Sequence, residues 1–415
     1  MKGLRMIVVL MLFTTITMNT SGCATVSDAS GADLMSGVTR ENVDAKPVDD
    51  GFIESMASFS IELFKKGITD KENSLVSPTS VMLSLAMTAN GADNNTKTQM
   101  ETVLGGDIPL DTLNEYLLGY VNSLPSEERA KLHIANSVWF RDNKDELQVK
   151  KDFLQQCANY YQASMYKAAF NNQTVEDINN WVKLNTDNMI DAIIEEIQDL
   201  DMLFLINAIT FDAKWETPYA EWDLSKGDFT DINGVAKNVD FMGMSEYGYL
   251  NDGKATGFIK PYAIGYSFVT LLPNQNIPIE SYIDSLTGNG FIQTIQQARN
   301  EQAKVETYLP KFEYDYEIKL NDTLSTLGMP DAFTDSADFS KMARSSMGPL
   351  YLSEVLHKTY ISVGEQGTKA GAVTESRAEA QSGPVGVVRL DRPFVYAIID
   401  DATNLPIFIG TLMTI

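Results

Sequence analysis

The segment GEQGTKAGAVTESRAEAQSGP, residues 364–384, decides how this chain is interpreted. In strand alternation, one face carries only small side chains, at Thr368, Ala370, Ala372, Thr374, Ser376, Ala378 and Ala380. The opposite face, from Lys369 to Gln381, is largely polar or charged. This pattern favours a strand that enters a tight slot in a sheet with its small face inward. Without that periodicity, so few large apolar residues are typical of an exposed loop or a low-complexity tether.

The composition excludes several classes of protein. The chain has 415 residues and a net charge of −24, and 44% of its residues are hydrophobic. Length alone suggests two or three domains, and the apolar content argues against global disorder. The acidity argues against a nucleic-acid partner, because it repels phosphate backbones. With two Cys and two His, neither a disulfide scaffold nor a Cys/His zinc cluster is expected, and no cofactor or metal is predicted.

The N-terminus has the pattern of an export signal. Lys2 and Arg5 precede the mostly apolar stretch 6–18, which is too short to span a membrane comfortably. Residues 1–22 are therefore predicted to be a signal peptide. The sequence Thr-Ser-Gly-Cys ending at Cys23 is similar to a bacterial lipoprotein cleavage site, although Thr20 stands where Leu is usual. We expect Cys23 to be lipidated and to hold the protein at the cell surface; ordinary secretion is the alternative.

Beyond the signal, residues 23–51 are rich in small and polar residues and are predicted to form a flexible tether. The remaining Cys157 lies close to Phe153 and Tyr160 in the sequence and is expected to be a buried thiol.

Helical patterns dominate the first third of the chain and strands the last third, which predicts an α+β fold. Helices are predicted from 52 to about 64, 78–91, 95–105, 109 to about 124 and 150 to about 164. Strands are predicted over 132–140, 202–209, 387–399 and 405–415, the last two as a hairpin. Ser77 is expected to cap the second helix, with Pro78 at its first position.

Common catalytic motifs are absent from the sequence, including GxSxG, HExxH, the P-loop and GxGxxG. The acidic run 191–201 is interpreted as a solvated helix end rather than a cation site. His133 is interpreted as a strand residue at the surface or at an interface. No pattern pairs a Ser with either His, so an enzyme is not expected.

The chain resembles the serpin family. The resemblance covers about residues 52–415. One of its motifs is the hinge Glu365-Gln366-Gly367-Thr368, which small residues follow. Further motifs follow in the family's order: Asn73 with Ser77-Pro78 and Ser80, 91–92 with Thr96 and Gln99, 136–140, 178–182, 207–211 with Trp215, 309–312, 327–329, 357–358 and 390–396. Each motif is weak alone, and their number and order make the match strong.

This resemblance implies a single large domain, residues 52–415. The family fold has a central, mostly antiparallel sheet, additional sheets, about eight or nine helices and an exposed reactive-centre loop, here about 365–390. It implies a monomeric suicide inhibitor of serine proteases. An attacking protease becomes an acyl-enzyme and is trapped when the cleaved loop inserts into the sheet. A non-inhibitory binding module, cleaved as a plain substrate, is the alternative.

The resemblance also assigns residues to roles. The hinge comprises Glu365, Gly367, Thr368, Ala370 and Ala372. Family spacing puts the scissile bond at Gln381-Ser382, to within one or two residues, and a bond at Ala380 is the alternative. A polar cluster under the sheet comprises Ser77, Ser80, Asn207 and His357, and Trp215 lies where insertion begins.

The residues before the scissile bond favour an elastase-like or subtilisin-like partner held as a covalent acyl complex. Arg377 makes a trypsin-like partner possible, but cleavage there would leave a short inserting strand.

Overall fold

A seven-stranded sheet organises the molecule. The structure is a computed structural model and describes residues 31–68, 71–142, 147–346, 348–368 and 383–415. Its helices are Asp50–Gly67 (α1), Pro78–Ala89 (α2), Asn94–Gly105 (α3), Leu110–Ser123 (α4), Lys151–Tyr160 (α5), Asn172–Asn185 (α6), Ile279–Ser285 (α7), Gly288–Glu301 (α8) and Asn321–Leu327 (α9). Short 3-10 turns lie at Glu221–Asp223 and Pro330–Phe333.

The strands of the first half are Ala32–Asp33 (β1), Ser74–Val76 (β2), Ala130–Arg141 (β3), Leu147–Val149 (β4), Ser164–Ala168 (β5), Leu203–Lys214 (β6), Leu224–Thr230 (β7), Ala236–Tyr247 (β8) and Tyr249–Asn251 (β9). Those of the second half are Ala255–Pro261 (β10), Tyr266–Pro273 (β11), Lys304–Pro310 (β12), Phe312–Lys319 (β13), Ala343–Ser345 (β14), Glu354–Gly364 (β15), Gly367–Thr368 (β16), Val387–Arg389 (β17), Phe394–Asp400 (β18) and Pro406–Leu412 (β19).

The strands form four sheets. The central sheet has the order β1-β5-β3-β6-β16-β15-β13, and most of its pairings are antiparallel. The others have the orders β2-β19-β18-β11-β10-β9, β17-β12-β8-β7 and β14-β4. The predicted α+β class is confirmed, with nine α-helices in the described part of the chain.

Helix α2 fills the space between the central sheet and the six-stranded sheet. All twelve of its residues are buried, because it contacts β3 and β6 on one side and β19 on the other. Its N-terminus forms as predicted: the Ser77 side chain accepts a hydrogen bond from the Ser80 N–H at 3.3 Å, and Pro78 follows it. The cap fixes this end of the helix directly beneath the central sheet.

The segment before α1 differs from the predicted tether. Ala32–Asp33 pairs with β5, and Leu34, Met35 and Val38 pack against the core. Lys46 then crosses α4 at Gly119, where an added Cβ would lie 2.0 Å from the Lys46 carbonyl oxygen. Residues 31–49 therefore follow the surface of the domain, and any free tether is shorter than the sequence pattern predicted.

Two further sequence expectations need correction. The predicted strand 387–399 is two strands, because Pro393 has no N–H for a ladder: β17 joins the four-stranded sheet and β18 the six-stranded one. The predicted helix 150–164 ends at Tyr160, and Ser164 already begins β5. The predicted hairpin at the C-terminus is present as β18 and β19.

Candidate functional site

The boundary between β15 and β6, which we call the seam, has two different ends. At its lower end the strands pair directly in parallel, from Glu354–Phe204 to Lys358–Ala208. At its upper end the chain turns after Gly364 and returns as β16, which pairs antiparallel with both β15 and β6. Gly367 and Thr368 therefore already occupy a strand position inside the seam.

The segment that follows β6 holds the described part of the hinge together with the preceding Gly364. Below, the hinge means these residues, Gly364–Thr368. The backbone N–H of Trp215 donates to the Gln366 carbonyl at 2.9 Å, and that of Tyr219 donates to the Glu365 carbonyl at 2.9 Å. The Trp215 indole Nε1 donates to the Gly364 carbonyl at 2.9 Å. We call residues 215–219 the clamp, because they bind three successive hinge carbonyls. Trp215 makes two of these three hydrogen bonds.

Gly367 is required by its position. Its φ is 149°, and a Cβ there would lie 2.0 Å from the Ala213 carbonyl oxygen. Any other residue would meet the β6 backbone in an unfavourable conformation. The glycine therefore allows the hinge to approach β6 closely enough to pair with it.

Thr368 points into the protein. It is 2% exposed, and its hydroxyl lies 2.6 Å from that of Tyr262. Burial raises the pKa of Tyr262 well above its usual value, so the phenol stays protonated and can share a hydrogen bond. The inner side of the hinge therefore holds a small polar side chain in a buried position, with a neutral hydroxyl as its partner.

Glu365 forms an ion pair with Lys311 at the edge of the hinge. Partial burial would raise the pKa of Glu365, but the hydrogen bond from Lys311, a backbone N–H and the Lys311 charge together lower it. Both side chains remain about one-third exposed, at 35% for Glu365 and 29% for Lys311. The pair is therefore a solvent-screened contact.

A row of buried polar side chains closes the lower seam. Asn136, Asn207 and His357 stand opposite one another on β3, β6 and β15. The Asn207 amide donates to Asn136 Oδ1 at 2.6 Å and to the Ser80 carbonyl at 2.9 Å, and it also contacts Ser80 Oγ. The Ser77 N–H donates to His357 Nε2 at 3.0 Å.

His357 is neutral in this setting. Because Nε2 accepts from Ser77, the proton lies on Nδ1, which donates to Asn207 Oδ1 at 2.6 Å. Burial lowers the pKa of His357 to about 3. The arrangement is a satisfied core network that ties α2 to both seam strands, and it gives the histidine no catalytic geometry.

The structure thus brings together Ser77, Ser80, Asn207 and His357 at the lower seam and Glu365, Gly367, Thr368 and Trp215 at the upper one. The predicted residues Cys23, Ala370, Ala372, Ala380, Gln381 and Ser382 lie outside the described residues. Sequence reasoning missed Asn136, Lys311 and Tyr262 as members of these sites. Asn136 and Lys311 lay in matching motifs, but only the strand register and the sheet packing show what they contact.

The remaining candidates have structural roles. His133 lies on β3, 41% exposed, with Nε2 3.3 Å from the Asp187 carboxylate. Burial raises the pKa of the Cys157 thiol, which is fully buried. The acidic stretch 191–201 is irregular chain rather than the predicted helix end. Among the described residues, no group of His, Cys, Asp and Glu could hold a metal ion.

Within the same described ranges, no helix is both long and apolar enough to cross a membrane.

Comparisons with known proteins agree with this geometry. Residues 54–415 match the family model described as Serpin (serine protease inhibitor). The fold is similar to the thermophilic serpin tengpin in its native state, with a TM-score of 0.89 and 53% identity over 93% of this chain and all of that one. Against tengpin in its latent state the TM-score is 0.80, with 51% identity over 89% of this chain and all of that one. Human Serpin B8 is 30% identical over 385 residues, which cover 87% of this chain and 98% of Serpin B8.

Proposed function

Because the chain belongs to the serpin family, whose members are generally protease inhibitors rather than catalysts, we propose that it inhibits serine proteases as a suicide substrate. The observation that carries the proposal is β16: the first residues of the reactive loop already pair with strands on both sides. A loop that begins as a strand inside the seam could continue along it once its far end is released and the lower pairs between β15 and β6 separate.

The protease supplies the chemistry. Its serine Oγ attacks the carbonyl carbon of Gln381, and the Gln381–Ser382 peptide bond breaks. The serine proton passes through the protease histidine to the nitrogen of Ser382, which leaves as a free amine. Gln381 remains joined to the protease as an ester. Hydrolysis of that ester would release a cleaved substrate, so inhibition requires that insertion be faster than hydrolysis.

Insertion would replace weaker pairing with stronger pairing. The five parallel pairs between β15 and β6 would give way to antiparallel pairs on both sides of the new strand, and parallel pairing is slightly the less stable per residue. The small inner face of the loop would be buried at the same time. Serpin loop insertion is itself a known example of strand addition.

The geometry of insertion explains why the acyl-enzyme would persist. The fifteen residues from Gly367 to Gln381 span roughly 50 Å at strand rise, which carries the attached protease across the molecule. A misalignment of about 1 Å in the protease catalytic groups costs on the order of 10²-fold in rate. We propose an elastase-like or subtilisin-like target, because Ala378, Ala380 and Gln381 offer small or uncharged residues near the bond.

We further propose that the protein is an exported monomer, acylated at Cys23 and anchored at a bacterial cell surface. The short positive region, the apolar stretch and the small residues before Cys23 support this proposal. Metabolic labelling with a radioactive fatty acid tests it: the wild-type chain should incorporate label, and Cys23→Ser should not.

Incubation of the purified protein with elastase, subtilisin and trypsin tests inhibition directly. We expect a complex that survives SDS, a cut mapped by mass spectrometry near Gln381–Ser382, and a rise in the thermal unfolding temperature of the cleaved chain. A protease inactivated at its serine serves as the control and should form no covalent complex. Complete cleavage with neither a complex nor a gain in thermal stability would favour the non-inhibitory binding module.

A further inference from the structure

A buried ion pair lies directly behind the clamp. Lys260 on β10 is 1% exposed, and its Nζ lies 2.6 Å from Glu246 Oε1 on β8. The pair connects the six-stranded sheet to the four-stranded one. On β10, Lys260 shares a face with Phe258, and Tyr262 follows the strand in the same alternation.

The ammonium group of Lys260 contacts three alternate residues of the clamp. It donates to the Thr217 carbonyl at 3.1 Å and lies 5.3 Å and 4.3 Å from the ring centroids of Trp215 and Tyr219. These two aromatic residues also provide the backbone N–H groups that hold the hinge carbonyls. A cation over an aromatic face is attracted to the ring. One side chain therefore contacts three of the five clamp residues.

Stability alone gives little reason for a buried pair here. Desolvation of two charges costs several kcal/mol, and well-packed apolar residues of similar size are often as stabilising. Apolar residues could not donate the hydrogen bond that the Thr217 carbonyl accepts from Lys260. Backbone pairing holds the start of the clamp, through the Trp215–Tyr262 bridge and the Glu216 N–H bond to the Pro261 carbonyl at 3.0 Å. Residues 217–219 are irregular chain before the 3-10 turn Glu221–Asp223, and the Lys260 ammonium is a donor to the Thr217 carbonyl there.

We propose that Lys260, held by Glu246, is a positioning residue for loop insertion. It keeps the clamp in the position from which the Trp215 and Tyr219 N–H groups hold the hinge in the upper seam. The inference rests on the proposed inhibitory function for its consequence, but the positioning of the clamp can be measured without any protease.

The test uses the double variant Lys260→Met/Glu246→Leu, which removes both charges and leaves neither one buried alone. Lys167→Met is the control. It breaks the 2.9 Å ion pair between Lys167 on β5 and Asp142, which follows β3, and β5 does not adjoin the seam. Amide hydrogen exchange and the stoichiometry of inhibition are measured for wild type and both variants. Thermal unfolding shows whether each variant is folded and how far its stability changes.

In the double variant we expect exchange at the Trp215 and Tyr219 amides to quicken at least 10-fold. We also expect the moles of inhibitor consumed per mole of protease trapped to rise at least 3-fold, with an unchanged rate of loop cleavage. The control should match wild type in both measurements. If the ion pair were purely structural, the double variant would change thermal stability and leave the stoichiometry of inhibition unchanged.

Unchanged exchange at the clamp amides would overturn the positioning role. Faster exchange with unchanged stoichiometry would overturn its link to insertion. If wild type itself forms no complex, the proposed inhibition fails, and the exchange measurement still judges whether Lys260 positions the clamp.

Discussion

The two ends of the seam are closed by different means. The lower end is closed by strand pairing and by a fully buried network around Asn207 and His357. The upper end is held by backbone hydrogen bonds from the clamp and by a partly exposed ion pair between Lys311 and Glu365. The lower closure is buried and fully paired, and the upper one already contains the two residues of β16, which the proposed insertion would extend.

If the loop inserts as we propose, this contrast gives insertion a direction. The strand would extend from the upper end, where β16 is already paired, and would have to break the buried network to proceed. The barrier to insertion would then lie at the lower end. Each variant below alters one end and leaves the other intact.

The largest effect is expected at the upper end from Thr368→Arg. The inner position is 2% exposed beside Tyr262, and burial of an unpaired charge is strongly unfavourable. Insertion should stall while the protease still cuts the loop, so the SDS-stable complex is lost and cleaved inhibitor accumulates. Thr368→Ser keeps the hydroxyl and should retain the complex; a complex formed normally by the Arg variant would disprove the role of this position.

At the lower end, Asn207→Ala should cost several kcal/mol of unfolding free energy. It leaves Asn136 Oδ1 and the His357 Nδ1–H without their partner, and each unsatisfied buried group costs about 1–3 kcal/mol. Denaturant unfolding measures the loss. Asn238→Ala, at an exposed position of β8, is the control, and an equally small effect at both positions would show that the network does not lock the seam.

Acid should weaken the lower end through His357. Its pKa is about 3 when folded, against 6.5 for the unfolded group. The unfolded chain therefore binds a proton below about pH 6.5 that the folded chain excludes, and stability falls by roughly 1.4 kcal/mol per pH unit as the pH drops. Above pH 6.5 the histidine is neutral in both states, so its contribution is constant. Unfolding measured between pH 6.5 and 5 should show this slope in wild type and lack it in His357→Gln.

The smallest effect is expected from Glu365→Gln. Its ion pair with Lys311 is partly exposed, and such pairs contribute about 0–1 kcal/mol. Thermal unfolding should show a slight loss at low salt that disappears at high salt, because screening weakens the pair in wild type. A loss of more than about 2 kcal/mol, independent of salt, would mean that the upper end is locked like the lower one.

The sequence predicted the strongly periodic parts of this molecule well. The alternation over 132–140 and the apolar run 202–209 lie in β3 and β6, and Ser77 caps α2 as expected. Prediction failed where tertiary contacts, rather than local sequence pattern, determine the path of the chain. Residues 31–49 have no apolar period, yet isolated residues such as Val38 reach the core and bind the segment to the domain.

The candidate sites divide in the same way. Family motifs identified Thr368, Asn207 and His357, but nothing local to Asn136 indicated its partners, because its role depends on register across three strands. Lys260 gave no signal at all, since a lysine within a strand pattern is typical of a solvated face. Its burial follows from the packing of two sheets against each other, which the order of residues along one strand does not encode.

The pairing of β1 with β5 also determines how far from a surface this molecule could act. Ala32 is held in β1 by its pairing with β5, and nine chain steps separate it from Cys23. Fully extended, those steps would reach about 32 Å. An inhibitor acylated at Cys23 would therefore be held within roughly its own radius of the bilayer, near the β1 edge of the central sheet. It would inhibit proteases close to the membrane surface. It would meet proteases that work at the cell envelope before those that diffuse freely.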